Sequence, residues 1–425
     1  MSIGPSFLGG AQSRLLPMSI PFRFFTAAAV FHVIFWIMAG LNADRVGGFN
    51  EGLGIALGTV HVLTLGVFLM TAIGASLQLL PVATRQATRA IWPGHLVSAS
   101  LIGGTPLLIW GMASGDGHVA LWGGGAVSCG VLIYVIVMAD NLVRAKGQNS
   151  VVAFCAAALV SLIAVCTLGL SLVLDFDLGF LTDHSSVLGV HFVLAIFGIM
   201  GLLAFGFSLI LIPMFTLAGH VPDRRGYLIL GLSLLAITLS CLGIAFKIPW
   251  IIHFAFSAGI AAAGLYVATM FGCLAKGMRK RLGPPFVLIR LSWLILLFSI
   301  AYGWATWTGW IVGPGWSIFG FTLLVGWLLT FVLGILLKIV PFLTSMHSTT
   351  GKGSAVRLST LTPELPQKIL VACHPLAIIL VGGGIYLEQP VLVQAGALFG
   401  SLGAIAMLAY VLEVMRRLII HQRKP

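Results

Sequence analysis

The chain has 425 residues, 59% of them hydrophobic and 8% charged, with a mean hydropathy of +1.09 and a formal charge of +12. So large an apolar excess excludes a water-soluble globular fold and predicts an integral membrane protein in contact with a lipid bilayer. The six cysteines (Cys129, Cys155, Cys166, Cys241, Cys273 and Cys373) all fall in apolar runs and form no CxxC pair, which excludes a disulfide framework or a cysteine zinc site.

The opening stretch "MSIGPSFLGGAQSRLLPMSIPFRFF" is polar and broken by Gly and Pro, unlike a cleavable leader, so the first span is expected to serve as its own insertion signal. From there, roughly twelve spans follow, each near the ~20 residues needed to cross hydrocarbon. They are expected at 22–41, 54–83, 91–113, 119–143, 149–174, 186–218, 226–246, 249–275, 286–308, 315–345, 367–387 and 391–418. Loops between them are short; the longest, "MHSTTGKGSAVRLSTLTPELP" at 346–366, reads as a solvated linker. The whole chain, 1–425, is expected to form a single transmembrane domain.

Basic residues separate by side. Arg14, Arg23, Arg85, Arg89, Arg144, Lys146, Arg224, Arg225, the "KGMRKR" cluster, Lys352, Arg357, Lys368, Arg416, Arg417, Arg423 and Lys424 all precede odd spans or follow even ones. Only Arg45 and Lys247 fall on the opposite face, which instead carries Asp44, Glu51, Asp116, Asp175, Asp177, Asp183 and Glu388. The positive-inside tendency then predicts both termini in the cytoplasm. The basic excess is thus a topological signal and calls for no nucleic acid.

Span 2 contains Gly66, Gly74 and Pro81, and the same spacing returns on span 6 as Gly198, Gly206 and Pro213 and on span 10 as Gly326, Gly334 and Pro341. A period of about 130 residues is four spans, so the chain reads as a triplication with units at about 22–143, 149–275 and 286–418. The expected fold is an all-α bundle of three four-helix arcs around a pseudo-threefold axis. Glycines eight apart share roughly one helix face about 12 Å apart, where a neighbouring helix or a flat ligand can approach the backbone. A proline near the end of each such span predicts a kink or a stop.

The phrases "HVLTLGVFLMTAIGASLQLLP", "HFVLAIFGIMGLLAFGFSLILIP" and "GWLLTFVLGILLKIVPF", on spans 2, 6 and 10 of twelve, resemble the catalytic subunit (subunit I) of heme-copper oxidases. The nearer branch is the C-type oxidases and nitric oxide reductases, where histidines precede such a glycine pair and proline. The resemblance implies a multi-pass protein of a bacterial-type inner membrane, heme b as cofactor, and other respiratory or redox subunits as partners. Cofactor contacts are expected at His61, His191, Gly66, Gly74, Gly198 and Gly206.

Of eleven histidines, His118 and His184 are expected in outer loops and His95, His220, His347 and His421 near the cytoplasmic surface, all solvated. His32, His61, His191, His253 and His374 fall within spans, where an ionisable group is a functional hypothesis by default. His61 and His191 share a level in the outer half. Two neutral imidazoles on facing helices are the ligand set of a low-spin heme. The plainer alternative is that each imidazole hydrogen-bonds a neighbouring carbonyl or hydroxyl.

Counting back from the first glycine of each copy, the family carries an H-x-H pair on span 10 at minus seven and minus five, its span 2 ligand at minus seven and its span 6 copper ligand at minus five. Here span 10 has Phe319 and Phe321, span 2 has His61 at minus five, and span 6 has His191 at minus seven. Two residues turn a side chain by about 200 degrees, so the swapped registers redirect both histidines. By the family's threefold, His61 then faces span 6 and His191 faces span 2, with any heme held in the arc between them. Copper in its place is the second expectation, with His61, His191 and His253 as ligands and Met70 or Met200 nearby.

Span 7, "GYLILGLSLLAITLSCLGIAF", has no histidine where the family places copper ligands, and no acidic residue occupies a span centre. Asp140 and Glu413 sit at cytoplasmic ends beside Arg144 and Arg416, while Lys338 is expected to snorkel to the same surface. The reading is a heme-binding subunit for electron transfer or for handling NO or heme, without a complete binuclear oxygen-reducing site. A secondary transporter is the alternative, although its repeats are usually two halves, often inverted; a cofactor-free scaffold subunit is another. Trp304, Trp307, Trp310 and Trp316 are expected in an outer interfacial belt.

Overall fold

In hydrocarbon a backbone has only itself to bond with, so each long apolar run closes into a helix. The computed structural model describes residues 14–45, 52–147, 149–348 and 356–422. Residues 1–13, Glu51, Lys352, Arg423, Lys424 and part of the 346–366 linker lie outside the described residues. Among the described residues there is no strand, and 12 helices are long and apolar enough to cross a membrane. These are span 1 (Ser19–Leu41), span 2 (Ile55–Ala83), span 3 (Trp92–Ser114), span 4 (Gly117–Val143), span 5 (Asn149–Leu178), span 6 (His184–Thr216), span 7 (Asp223–Ala245), span 8 (Pro249–Lys276), span 9 (Pro285–Trp307), span 10 (Gly315–His347), span 11 (Glu364–Tyr386) and span 12 (Pro390–His421). The largest departure from the sequence expectation is at span 5, which runs on to Leu178 rather than ending at 174.

Spans 2, 6 and 10 form the centre, with 56%, 78% and 89% of their most apolar stretch buried, whereas every other span has half or less. The other nine surround them, and span 12 packs on span 1 to close the ring. Each central span rests on the one before it through its two glycines. A Cβ on Gly74 would sit 2.8 Å from Phe24 Cβ on span 1, one on Gly206 2.7 Å from Phe154 Cβ on span 5, and one on Gly334 2.7 Å from Ile289 on span 9. Gly66, Gly198 and Gly326 face Phe31, Ser161 and Ile295 of the same three spans.

The triplication also has two marks that the sequence did not disclose. At Val62–Leu69, Leu194–Gly201 and Thr322–Leu329 the central helices widen into π-helical turns of 8 residues, and the first motif glycine is the fifth residue of each. Such turns carry an extra residue per loop of helix and cluster at functional sites. The prolines lie inside their helices close to the ends, three residues before Thr216 in the case of Pro213, and Leu217 then takes the left-handed conformation (φ 56) that stops span 6.

The second mark is a tyrosine on the last span of each repeat, reaching back to the central span. Tyr134 Oη lies 2.6 Å from Ser76 Oγ, Tyr266 Oη 2.9 Å from Ser208 Oγ, and Tyr410 Oη donates to the Leu337 carbonyl at 2.8 Å. Tyr266 carries more than its counterparts, because it also accepts the Trp293 indole N–H at 3.1 Å and stacks on Phe205 with ring centroids 3.9 Å apart. Tyr266→Phe therefore orphans a buried indole donor and is expected to destabilise the protein by about 1–3 kcal/mol. Tyr134→Phe leaves Ser76 bonded to the Ala72 carbonyl and is expected to cost less. Thermal unfolding in detergent reads the difference; equal shifts would count against this account.

The polar residues at the helix ends are paired. Asp140 bridges Arg144 at 2.6 Å and Arg89 at 3.1 Å, Glu413 bridges Arg416 and Arg417, and Lys338 Nζ donates to the Leu282 carbonyl at 2.8 Å on the face that carries the described chain ends. On the opposite face Trp310 and Trp316 are exposed, as a belt residue should be.

Candidate functional site

A cavity of about 920 Å³ opens inside the bundle, almost wholly apolar in its walls and within the range of about 300–1,000 Å³ usual for small-molecule and cofactor sites. Its lining comes from spans 2, 6 and 10 and from the surrounding helices, and it includes both His61 and His191. The two imidazoles are near enough for a charge on one to act on the other. The swapped registers thus bring both rings to the same space, from the first and second repeats. The third repeat presents Phe319 and Phe321 to that space, where neither can ligate.

His61 is the last α-helical residue before the first π turn, and its Nδ1–H donates to the Leu57 carbonyl at 3.0 Å. That bond fixes the tautomer and leaves the Nε2 lone pair without a protein partner. His191 precedes its own π turn by three residues. Its ring lies along span 5 at Gly169, where a Cβ would be 3.1 Å from His191 Cε1, so any larger residue there would crowd the imidazole. The Val165 carbonyl acts on the ring from the same helix, but Nδ1 makes no hydrogen bond of good geometry. Sequence reading passed over Gly169; its signal was a small residue at mid-span with no place in the repeated pattern.

The four glycines expected as cofactor contacts lie elsewhere. Gly66, Gly74, Gly198 and Gly206 face spans 1 and 5, and none of them lines the cavity. The close approach they permit is that of a neighbouring helix. His253 also stands apart, exposed on span 8 with its Nδ1 accepting the Trp304 indole N–H at 3.0 Å. Met200 lines the cavity, whereas Met70 is buried away from it. No group of three or more His, Cys, Asp or Glu side chains converges among the described residues, so the copper expectation gains no third ligand.

Of the histidines expected to be solvated, one is buried and another, though partly exposed, has a protein partner. His184 opens span 6 at the cavity mouth, and its Nδ1–H donates to Asp175 Oδ2 at 2.8 Å. His347 is buried and lies 3.2 Å from the Gln78 amide. Asp183 caps span 6: the Ser186 hydroxyl, then Lys247, hold its carboxyl below the usual carboxylate range.

His32 and His374 follow the plainer alternative. His32 Nε2 accepts the Trp36 indole N–H at 3.0 Å, and His374 Nε2–H donates to Thr330 Oγ1 at 2.9 Å while that hydroxyl itself donates to the Val325 carbonyl. Both are fully buried.

The donor set fits a group held by two imidazoles: His61, whose Nδ1 is taken by the Leu57 carbonyl, and His191, whose Nδ1 is unbonded, come from different helices to one apolar cavity of cofactor size. In comparisons with known proteins, no family model and no curated protein matches this chain.

Proposed function

We propose that this chain is a heme-binding membrane subunit in which His61 and His191 would hold the heme iron, serving electron transfer or the handling of NO or heme. The observation that carries this reading is the convergence of those two imidazoles, from separate repeats, on one apolar cavity. A heme held by two imidazoles supplies a one-electron couple. The Leu57 carbonyl holds His61 with Nε2 forward, Gly169 makes room for His191, and the aromatic wall around Phe205 and Trp327 keeps water away. With Phe319 and Phe321 at the positions of the resembled family's H-x-H pair, dioxygen reduction at two metals is not part of the proposal.

The resemblance to subunit I of heme-copper oxidases supports the same reading, together with an inner-membrane location, a cytoplasmic terminal face and redox partner subunits. The test is the absorption spectrum of the purified protein with a pyridine hemochrome assay and metal analysis. One heme b per chain with a low-spin spectrum is expected. A preparation holding neither iron nor heme, and taking up none on reconstitution, would overturn it in favour of a transporter or a scaffold.

A further inference from the structure

Two basic side chains lie on the face opposite to all the other described ones, Arg45 and Lys247. Lys247 has a structural reason: its Nζ lies 2.9 Å from Asp183 Oδ2, the carboxylate that caps span 6. Arg45 has none of that kind. Its ion-pair partner is its own neighbour Asp44 at 3.9 Å, with the two side chains 66% and 69% exposed, and a contact so long and so open to water is worth almost nothing.

Arg45 does have a place, at the mouth of the cavity, and it is the one charged side chain among the described residues that line it. The rest of the mouth is polar or aromatic, with Asn42, Ser185, Trp316 and His184, whose ring is bonded to Asp175. Below it the walls are mostly apolar and carry no charge, with only the hydroxyls of Thr59, Ser240 and Ser317 among the polar groups on the way to the two imidazoles. His61 is six residues into span 2 from Ile55 and His191 seven beyond His184, so both rings lie about 10 Å beneath the mouth at 1.5 Å per residue.

A cavity with one cationic end and an otherwise oily interior is complementary to an amphiphile with an anionic end. We infer that Arg45 receives the carboxylate of the cavity's occupant at the mouth. This rests on the heme reading for the identity of the apolar body, though not for the charge of its outer end. The planar guanidinium offers paired N–H donors that match a carboxylate fork, a fit that Lys247 or a serine does not provide. Two sources carry this chemistry: the carboxylate arms of a porphyrin, and a fatty acid from the bilayer.

Purified full-length protein, stripped of ligand, is titrated with ferric protoporphyrin IX, with its dimethyl ester and with oleate, following absorption and the quenching of the mouth tryptophans. The wild type is expected to bind the free acid tighter than the diester by about tenfold to a hundredfold, the worth of a charged hydrogen bond. Arg45→Gln is expected to bring that ratio near one while keeping the low-spin spectrum, Arg45→Lys to recover part of it, and Lys247→Gln to leave it unchanged. Equal binding of acid and diester by the wild type, with the spectrum intact, would overturn the inference and leave the heme reading standing. Oleate binding that depends on Arg45, with no uptake of either porphyrin, would support the inference with a lipid as its source and sink the heme reading. No binding of any of the three would sink both.

Discussion

His61→Ala and His191→Ala are each expected to abolish the low-spin heme spectrum of a protein that still folds. Both imidazoles border a cavity and share no partner with each other, so truncation only enlarges an existing space. What disappears is one of the two imidazole nitrogens at that level of the cavity, where the third repeat offers Phe319 and Phe321 and, among the described residues, no group of three or more His, Cys, Asp or Glu converges. Free imidazole added to His191→Ala is expected to restore the spectrum, because Gly169 leaves room for the ring in the space the side chain vacates. His32→Ala and His374→Ala make the contrast. Those rings are buried and bonded to Trp36 and Thr330, so their loss should lower stability by about 1–3 kcal/mol and leave the heme spectrum unaltered. An unchanged spectrum in either cavity variant, or a lost one in both buried variants, would remove His61 and His191 from the role given to them.

The positions of the spans were legible because hydrocarbon imposes one rule on every segment, and the triplication because glycine marks contacts that a Cβ would block. That His61 and His191 border the same cavity was legible only through their swapped registers, read against a resemblance. Less visible were features that leave no mark in composition. A π turn is a change of bonding partner from i−4 to i−5, and Val62–Leu69 contains nothing that an α-helix would refuse. Which way Gly66 or Gly206 faces depends on the preceding span, so the same spacing served equally for a ligand or a helix until Phe31 and Phe154 were placed. His184 and His347 have partners that counting residues from the helix ends did not show. The first is claimed by Asp175 from across the loop and the second by Gln78, contacts separated by 9 and 269 residues in the chain.

The wall of the cavity rests on a closer contact than any in the centre, between spans 3 and 4. They form an antiparallel pair turned by Gly115 (φ 76) and capped by Asp116, whose side chain accepts from the Val119 amide. Gly111 and Gly123 face the partner backbone itself: a Cβ on Gly111 would overlap Ala120, and one on Gly123 would overlap Leu108. Gly104 and Gly130 repeat the contact seven residues further along each helix, with Ala126 Cβ 2.8 Å and Ser100 Cβ 2.9 Å from the added atom. A flexible side chain can swing aside, whereas a helical backbone moves only if the whole span does, so Gly123→Val is expected to cost about 3 kcal/mol or more. The expected readout is loss of monodisperse protein from the membrane extract. Gly103→Ala and Gly125→Ala lie on the same two helices with nothing within 4 Å, and should melt at or slightly above the wild-type temperature because alanine favours helix over glycine by up to about 1 kcal/mol. Leu108, Gly124 and Val127 line the cavity, so a partial displacement of span 4 in the milder Gly123→Ala should also loosen whatever the cavity holds. Wild-type yield and melting for Gly123→Val would mean that these two helices do not meet as described, and that the wall beside His61 is built differently.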